Sequence, residues 1–293
     1  MNTIAVIGPG AIGGTLAAWL AAAATHDVIV CARTGFERLI VEVPGGRTLD
    51  VAPRVLTDPT DAGVVDWVIT VTKTYDTEGA ARWLRRLVGP TTRVAVVQNG
   101  VEHRQHFSPF VPEERLLPVV IDIPAERSAP GRIRQRRLGD ITVPDGSLGE
   151  SFVSLFAGTD LSPQVTHDFL SASWRKLVLN SAAVVNALTL RPAGIVQDPA
   201  VAAVMRAIVF EALAVGRGAG ATLDDGLPDE VLARYRAMPP EQVNSLLGDR
   251  LAHRPTEIDA RNGIIVRLGE KLGIETPRNA MAVALIAASD VVR

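Results

Sequence analysis

Thr3-Ile4-Ala5-Val6-Ile7-Gly8-Pro9-Gly10-Ala11-Ile12-Gly13 decides how this chain is to be read. Five mostly apolar residues predict a buried strand, and Gly8, Gly10 and Gly13 then follow in the order G-x-G-x-x-G. At a strand-to-helix turn each glycine has its own task. The first permits the tight turn, the second lets a pyrophosphate approach the backbone, and the third lets helix and strand pack closely. The helix predicted over 11–24 points its first N–H groups at the phosphates. Gly8, Pro9, Gly10, Ala11, Ile12 and Gly13 therefore predict a dinucleotide-binding turn.

The next strand indicates which dinucleotide. Val28-Ile29-Val30-Cys31 ends in Ala32-Arg33-Thr34. A site for NAD places an Asp or Glu near this strand end to bind the ribose 2′-OH. Asp27 stands at the wrong end, whereas Arg33 is a fixed cation suited to a 2′-phosphate. The expected cofactor is NADP(H).

Bulk properties agree with a cytoplasmic enzyme. The 293 residues suffice for two domains, and 47% hydrophobic with 21% charged residues is a globular composition. A formal net charge of −2 gives no electrostatic case for nucleic acid. Cys31, the single cysteine, excludes an internal disulfide and suits a reducing compartment. Residues 3–24 are strongly apolar, but a Gly-Pro-Gly turn interrupts them and no basic segment precedes them. That excludes a membrane span and a signal peptide.

Strand and helix patterns alternate to about residue 100: strand 66–71, helix 76–87 and strand 93–97. This rhythm predicts a doubly wound parallel sheet. Short strands at 118–123, 131–138 and 141–143 are expected to extend it through hairpins. Arg132, Arg134 and Arg136 alternate on a solvated strand face. Beyond about residue 167 the chain becomes helical, with Asp168 placed before a long helix running through Trp174 to Leu188. Further helices are predicted at 199–219, 229–236 and 256–272. The organisation expected is an α/β nucleotide domain over 1–167 and an all-α domain over 168–293, with substrate held where the strand carboxyl ends face the helices.

Several polar residues stand at informative places. Lys73 and Asn99-Gly100 each follow a strand at its carboxyl end, though a loop lysine and an ordinary turn read equally well. Lys176 and Asn180 lie four apart on one helix face. Desolvation there would lower a lysine pKa from about 10.4 and make it a proton donor near neutral pH. The plainer reading is a lysine snorkelling from a packed helix. Ser245, Asp249 and Glu257 form a last cluster. Thr256 is placed to cap the helix that Glu257 opens, and first-turn acids such as Glu257 and Asp259 also suit a helix dipole. His26, His103, His106, His167 and His253 show no metal-ligand spacing, so no metal is expected.

Taken in order, these motifs resemble the ketopantoate reductase family along nearly the whole chain. They are Gly8–Gly13, Thr72-Lys73-Thr74-Tyr75-Asp76-Thr77, Gln98-Asn99-Gly100-Val101 and Trp174-Arg175-Lys176-Leu177 with Asn180. Ser245-x-x-x-Asp249 then leads to Thr256-Glu257-Ile258-Asp259 and to Gly273-Ile274-Glu275-Thr276-Pro277-Arg278-Asn279. The resemblance implies a Rossmann domain joined to a helical domain like that of 6-phosphogluconate dehydrogenase. It implies NADPH-dependent reduction of 2-dehydropantoate to (R)-pantoate, a step towards pantothenate and coenzyme A. By the same likeness Lys73 and Asn99 contact the cofactor, Lys176 is the general acid, Asn180, Asn99 and Ser245 hold the substrate, and Glu257 orders the cofactor side.

One departure bears on the substrate. The family carries a second Asn four residues after the position of Asn180, in a run like Asn-Pro-Leu-Thr. Position 184 is Val here, and Asn186-Ala187-Leu188-Thr189 comes two residues late. Two residues are about 200° of helix rotation, which turns Asn186 away on a continuous helix. Either a helix irregularity restores it, or another 2-keto acid is reduced. A related β-hydroxyacid, opine or glycerol-phosphate dehydrogenase and a non-catalytic NADP-binding sensor are the competing readings. The apolar stretches 201–219 and 280–292 offer either internal packing or a homodimer face.

Overall fold

The computed structural model describes residues 1–290. The chain divides into two compact units, 1–98 with 102–169, and 99–101 with the residues from 170 onward. In the first unit β1 (Thr3–Ile7), α1 (Ala11–Ala22), β2 (Asp27–Cys31), β3 (Leu39–Glu42), β4 (Thr48–Val51), β5 (Arg54–Leu56) and β6 (Trp67–Thr70) come first. Next are α2 (Thr77–Leu87), β7 (Arg93–Val96), α3 (His103–Phe107), β8 (Leu116–Pro118), β9 (Val120–Asp122) and β10 (Ala125–Ala129). The unit ends with β11 (Arg132–Gln135), β12 (Asp140–Pro144), α4 (Ser147–Ser154) and β13 (Gln164–Thr166).

Six strands form one parallel sheet in the order β5-β2-β1-β6-β7-β8. Its strands read as continuous apolar runs because both faces are covered. Ile4 and Val6 pack with α1, while Ala5 and Ile7 pack with Trp83, Leu84 and Leu87 of α2. The carboxyl ends of β1, β6 and β7 thus open on one edge, where such sheets bind ligands.

The later strands depart from the expectation. Only β8 joins the parallel sheet; β10-β11-β3-β4 and β13-β12-β9 are separate small sheets. Val119 separates β8 from β9 in what reads as one strand over 118–123. The sheet containing β3 and β11 lies against α1: a Cβ on Gly14 would meet Ile133 Cδ1 at 2.2 Å and Leu39 Cδ1 at 3.5 Å. Helix α1 is therefore covered on opposite sides, which explains an apolar composition with little amphipathic contrast. Arg134 pairs with Glu42 at 3.6 Å and Arg136 with Glu126 at 2.9 Å on an exposed face.

The second unit contains α5 (Phe169–Ser181), α6 (Ala183–Thr189), α7 (Pro199–Gly218), α8 (Leu227–Ala237), α9 (Ser245–Leu251), α10 (Ile264–Leu272) and α11 (Pro277–Asp290). Phe169 itself belongs to the first unit. The long helix expected up to Leu188 is broken at Ala182, whose carbonyl accepts from Val185 N at 3.2 Å. Asp198 caps α7, its Oδ1 accepting from Ala200 N at 2.8 Å. With a mean hydropathy of 1.7, α7 is long and apolar enough to cross a membrane, yet Met205, Ile208, Val209 and Ala212 lie in the core of this unit. Helix α11 turns Ala282 and Ile286 inward; Val291 and Val292 of the expected apolar tail lie outside the described residues.

Ahead of α10, residues Asp259–Gly263 form a π-helical turn, and Ala260 to Gly263 are buried. Thr256 does not serve as the expected cap: the helical stretch begins at Ile258, and the Thr256 hydroxyl oxygen is buried without a partner.

His103 is buried at the start of α3, with Nε2 2.9 Å from Gln98 O. Only an N–H can bond that carbonyl, so Nε2 carries the proton and donates. Burial lowers the His103 pKa from 6.5 to about 4. The unfolded chain takes up this proton near pH 6.5 and the folded chain only near pH 4. Stability from this group is therefore present above pH 6.5 and is lost as pH falls towards 4. The loss expected is at most about 3 kcal/mol. Urea midpoints measured across this range should fall less steeply in His103→Gln than in the parent; parallel curves would contradict the assignment.

Candidate active site

The glycine turn has the geometry its sequence implies. Gly8 has φ +86°, and a Cβ there would lie 3.1 Å from Val71 O and 3.2 Å from Thr72 N. A Cβ on Gly13 would meet Gly8 O at 2.3 Å, so helix and strand touch only because that position is glycine. A Cβ on Gly10 meets nothing within 4 Å. Space beside Gly10 is therefore open, and no side chain caps α1. Pro9, Ala11 and Ile12 complete a turn whose first helical N–H groups can receive a phosphate. These observations fit a dinucleotide pyrophosphate.

Two further loops reach the same sheet edge. Gln98 Nε2 donates to Thr72 O at 3.1 Å and to Thr72 Oγ1 at 3.3 Å, tying the ends of β6 and β7 together. Lys73 is half-buried next to Thr72, and its carbonyl accepts from Asp76 N at 2.9 Å. Arg33, just beyond β2, has an 88% exposed side chain 3.9 Å from Asp76 Oδ2. So exposed a pair is held weakly and leaves the guanidinium able to meet a 2′-phosphate. Cys31, at the end of β2, is buried, which pushes its thiol pKa up to about 12 and makes it a packing residue.

In the second unit the structure joins residues far apart in sequence. Asn99 Nδ2 donates to Glu257 Oε2 at 3.0 Å, and Glu257 is buried. Gly100 has φ +95°, and a Cβ there would come within 2.7 Å of Ala260 O, so this turn presses against the π-helical turn. Lys176 and Asn180 are half-buried one turn apart on α5, beside buried Leu177 and Val178. The Asn180 side chain makes no hydrogen bond among the described residues and is open to a ligand.

Ser245 begins α9 and is exposed, and its Oγ accepts from Arg261 Nη2 at 2.8 Å. Asp249 is buried, and its Oδ1 pairs with Arg254 Nη2 at 3.0 Å. That pair braces the loop after α9.

Asn186 resolves the departure noted in the sequence. The break at Ala182 rotates it inward rather than outward. It is fully buried, donating to Arg191 O at 2.9 Å and Pro192 O at 3.0 Å, while its Oδ1 accepts from Asn244 Nδ2 at 3.1 Å. Asn244 Oδ1 in turn caps α9 through Leu247 N at 3.0 Å. Asn186 thus holds Ser245 in place through Asn244 and has no capacity left for substrate.

Two functional candidates escaped the sequence reading: Arg261 and Asn262, both buried in the π-helical turn. In sequence Arg261 looks like a solvated charge four residues after Glu257, and nothing in the local pattern announces a π turn. A group of His, Cys, Asp or Glu able to hold a metal is absent among the described residues. A concavity of about 450 Å³ lined by Ile40, Glu42, Arg132 and Arg134 lies on the small sheet and contains none of these residues.

A cofactor titration tests the first part of the site. Gly10→Val should keep the parental melting temperature and weaken NADPH binding about tenfold or more. Arg33→Ala should erase a preference for NADPH over NADH while leaving NADH binding unchanged. Unaltered NADPH affinity in both variants would remove these residues from the cofactor site.

Comparisons with known proteins agree with the geometry. The family model described as Ketopantoate reductase PanE/ApbA matches residues 4–147, and that described as Ketopantoate reductase PanE/ApbA C terminal matches 168–290. A 2-dehydropantoate 2-reductase of Caulobacter vibrioides is 57% identical over 289 residues, covering 99% of each chain. One from Mycobacterium tuberculosis is 38% identical over 287 residues, covering 98% of this chain and 97% of its own. The crystal structure of a 2-dehydropantoate 2-reductase from Geobacter metallireducens superposes with a TM-score of 0.92 at 26% identity, covering 98% of this chain and 99% of that one. With both family models matched in order across the two units, this chain belongs to the ketopantoate reductase family.

Proposed function

We propose that this protein reduces 2-dehydropantoate to (R)-pantoate with NADPH, a step in pantothenate and coenzyme A formation. The observation that carries the reading is 57% identity to a 2-dehydropantoate 2-reductase over 99% of both chains. The first unit, bounded near residue 167, is the nucleotide domain. Gly8, Pro9, Gly10, Ala11, Ile12 and Gly13 receive the pyrophosphate, Arg33 the 2′-phosphate, and Lys73 the remainder of the cofactor's polar surface. The second unit supplies the acid and the substrate contacts.

Bound NADPH supplies the hydride that reduces C2 of the keto acid. Lys176 donates a proton to the C2 oxygen as it becomes an alkoxide, and its charge stabilises that oxygen before transfer. Asn180, one helical turn away and uncommitted, takes a hydroxyl or carboxylate oxygen of the substrate. Ser245 supplies a second hydroxyl contact. Glu257 holds the Asn99 amide in one orientation, leaving Asn99 Oδ1 to accept from cofactor or substrate. Proton donors and acceptors of these kinds complete the reduction without a metal.

Replacing the acid should separate chemistry from binding. Lys176→Ala should lower kcat by about 10² to 10⁴ with NADPH affinity unchanged. Absorbance assays with 2-dehydropantoate and a panel of other 2-keto acids check this, and activity within a few-fold of the parent would remove Lys176 from the role. Turnover confined to another 2-keto acid would keep the mechanism and reassign the substrate. Tight NADPH binding with no turnover on any of them would favour a sensor.

The protein is also read as a cytoplasmic homodimer. Val204 and Phe210 on α7 and Met281 and Leu285 on α11 are exposed apolar side chains, from 42% to 54% accessible in one chain. Light scattering should give the mass of two chains; the mass of one would overturn this reading.

A further inference from the structure

Arg261 is 3% exposed, a guanidinium buried in the π-helical turn. Its Nη2 donates to Ser245 Oγ at 2.8 Å, and its Nε is buried without a partner. Tyr235, also buried, faces this charge. A guanidinium held in such surroundings is costly unless an anion completes it. Ser245, which accepts from Arg261, is exposed at the start of α9. The cation therefore stands directly behind a hydroxyl that faces outward.

We infer that Arg261 is a positioning residue for substrate recognition: from behind the proposed substrate contact Ser245 it orients that hydroxyl towards the carboxylate of the 2-keto acid. The inference rests on the proposed keto-acid reduction and adds which residue selects for the acid. Ser245 Oγ accepts from Arg261, so its own proton is turned away from the guanidinium and towards an incoming oxygen. Accepting one hydrogen bond polarises the hydroxyl and strengthens the one it donates. The positive charge behind it favours an anionic partner over a neutral one. This chain also lacks the second Asn that the family resemblance places at position 184: Val184 is fully buried, and Asn186 is spent on Arg191, Pro192 and Asn244. Polar recognition lost from α6 is replaced here by the charge in the π-helical turn.

The test is a double-mutant cycle on the full chain with saturating NADPH, reading kcat and KM for 2-dehydropantoate. Arg261→Met and Ser245→Ala should each raise KM by about ten- to a hundredfold with kcat within about threefold, the pattern of lost ground-state binding. The double variant should be no worse than the poorer single variant, because Arg261 acts through Ser245. Arg261→Lys should recover part of the loss. Melting temperature should not fall in Arg261→Met, since an apolar side chain of similar length fills the space of a buried charge. Multiplicative effects in the double variant, an unchanged KM in Arg261→Met, or a loss of kcat together with melting temperature would overturn the inference alone. Inactivity of the parent on every 2-keto acid would overturn the reductase reading and this inference with it.

Discussion

The side-chain amide of Asn262 donates at once to Ser181 O at 3.1 Å and to Asn279 Oδ1 at 2.9 Å, and the helical unit depends on that double contact. Helix α5 stops at Ser181, because Val185 N bonds the Ala182 carbonyl instead of continuing the α-helical ladder. Asn262 supplies the donor that the interrupted ladder withholds. Asn279 passes the connection on to Glu211, whose buried carboxylate accepts from Asn279 N at 2.9 Å, Asn279 Nδ2 at 2.7 Å and Arg278 N at 3.0 Å. Glu211 thereby satisfies the first N–H groups of α11 from a neighbouring helix. A buried carboxylate is tolerable only with donors of this number and quality. The network fixes α5, the π-helical turn, α7 and α11 to each other, and so fixes Lys176, Asn180 and Arg261, which ride on the first two.

A steric constraint plays the corresponding part in the nucleotide unit. Gly13 lies against Gly8 O so closely that no side chain fits, which sets the angle at which α1 leaves β1. With that angle set, α1 runs between the parallel sheet and the small β3/β11 sheet and is buried on both sides. Its burial accounts for the membrane-like composition of residues 3–24. The open space at Gly10 is the counterpart of the tight contact at Gly13: one glycine excludes a side chain and the other leaves space beside the turn.

The two units divide the chemistry by the kind of support each function needs. The proposed cofactor contacts sit on loops at strand ends, where side chains such as Arg33 remain exposed. The residues proposed for proton donation and substrate recognition sit on packed helices, Lys176 half-buried and Arg261 buried, where a charge acts with greater electrostatic effect than in water. In the proposed function, a buried cation behind an exposed serine and a lysine one turn from Asn180 would be two ways of presenting positive charge to an anionic keto acid.

Much of this was legible in the residues. The glycine spacing, the apolar strands and the absence of an acid after β2 were enough for the parallel sheet and its NADP(H) preference, because turns and strand burial depend on near neighbours. The motifs holding Lys73, Asn99, Lys176, Ser245 and Glu257 were likewise visible as short runs. The strands of 39–56 were not, nor were the separate sheets that the strands expected over 118–143 join. Apart from the β3–β4 and β10–β11 hairpins, these strands pair with partners distant in sequence, and such pairing leaves no local mark beyond alternation. The break at Ala182, the inward turn of Asn186 and the π-helical turn at Asp259–Gly263 were equally hidden. Each is a departure from ideal helix geometry that packing between helices imposes, through hydrogen bonds spanning up to 81 residues, as from Asn262 to Ser181. Local chemistry along the chain settles which residues can bind and react; the direction in which Asn186 and Arg261 point was left to the long-range packing, because only there do their hydrogen-bond partners come within reach.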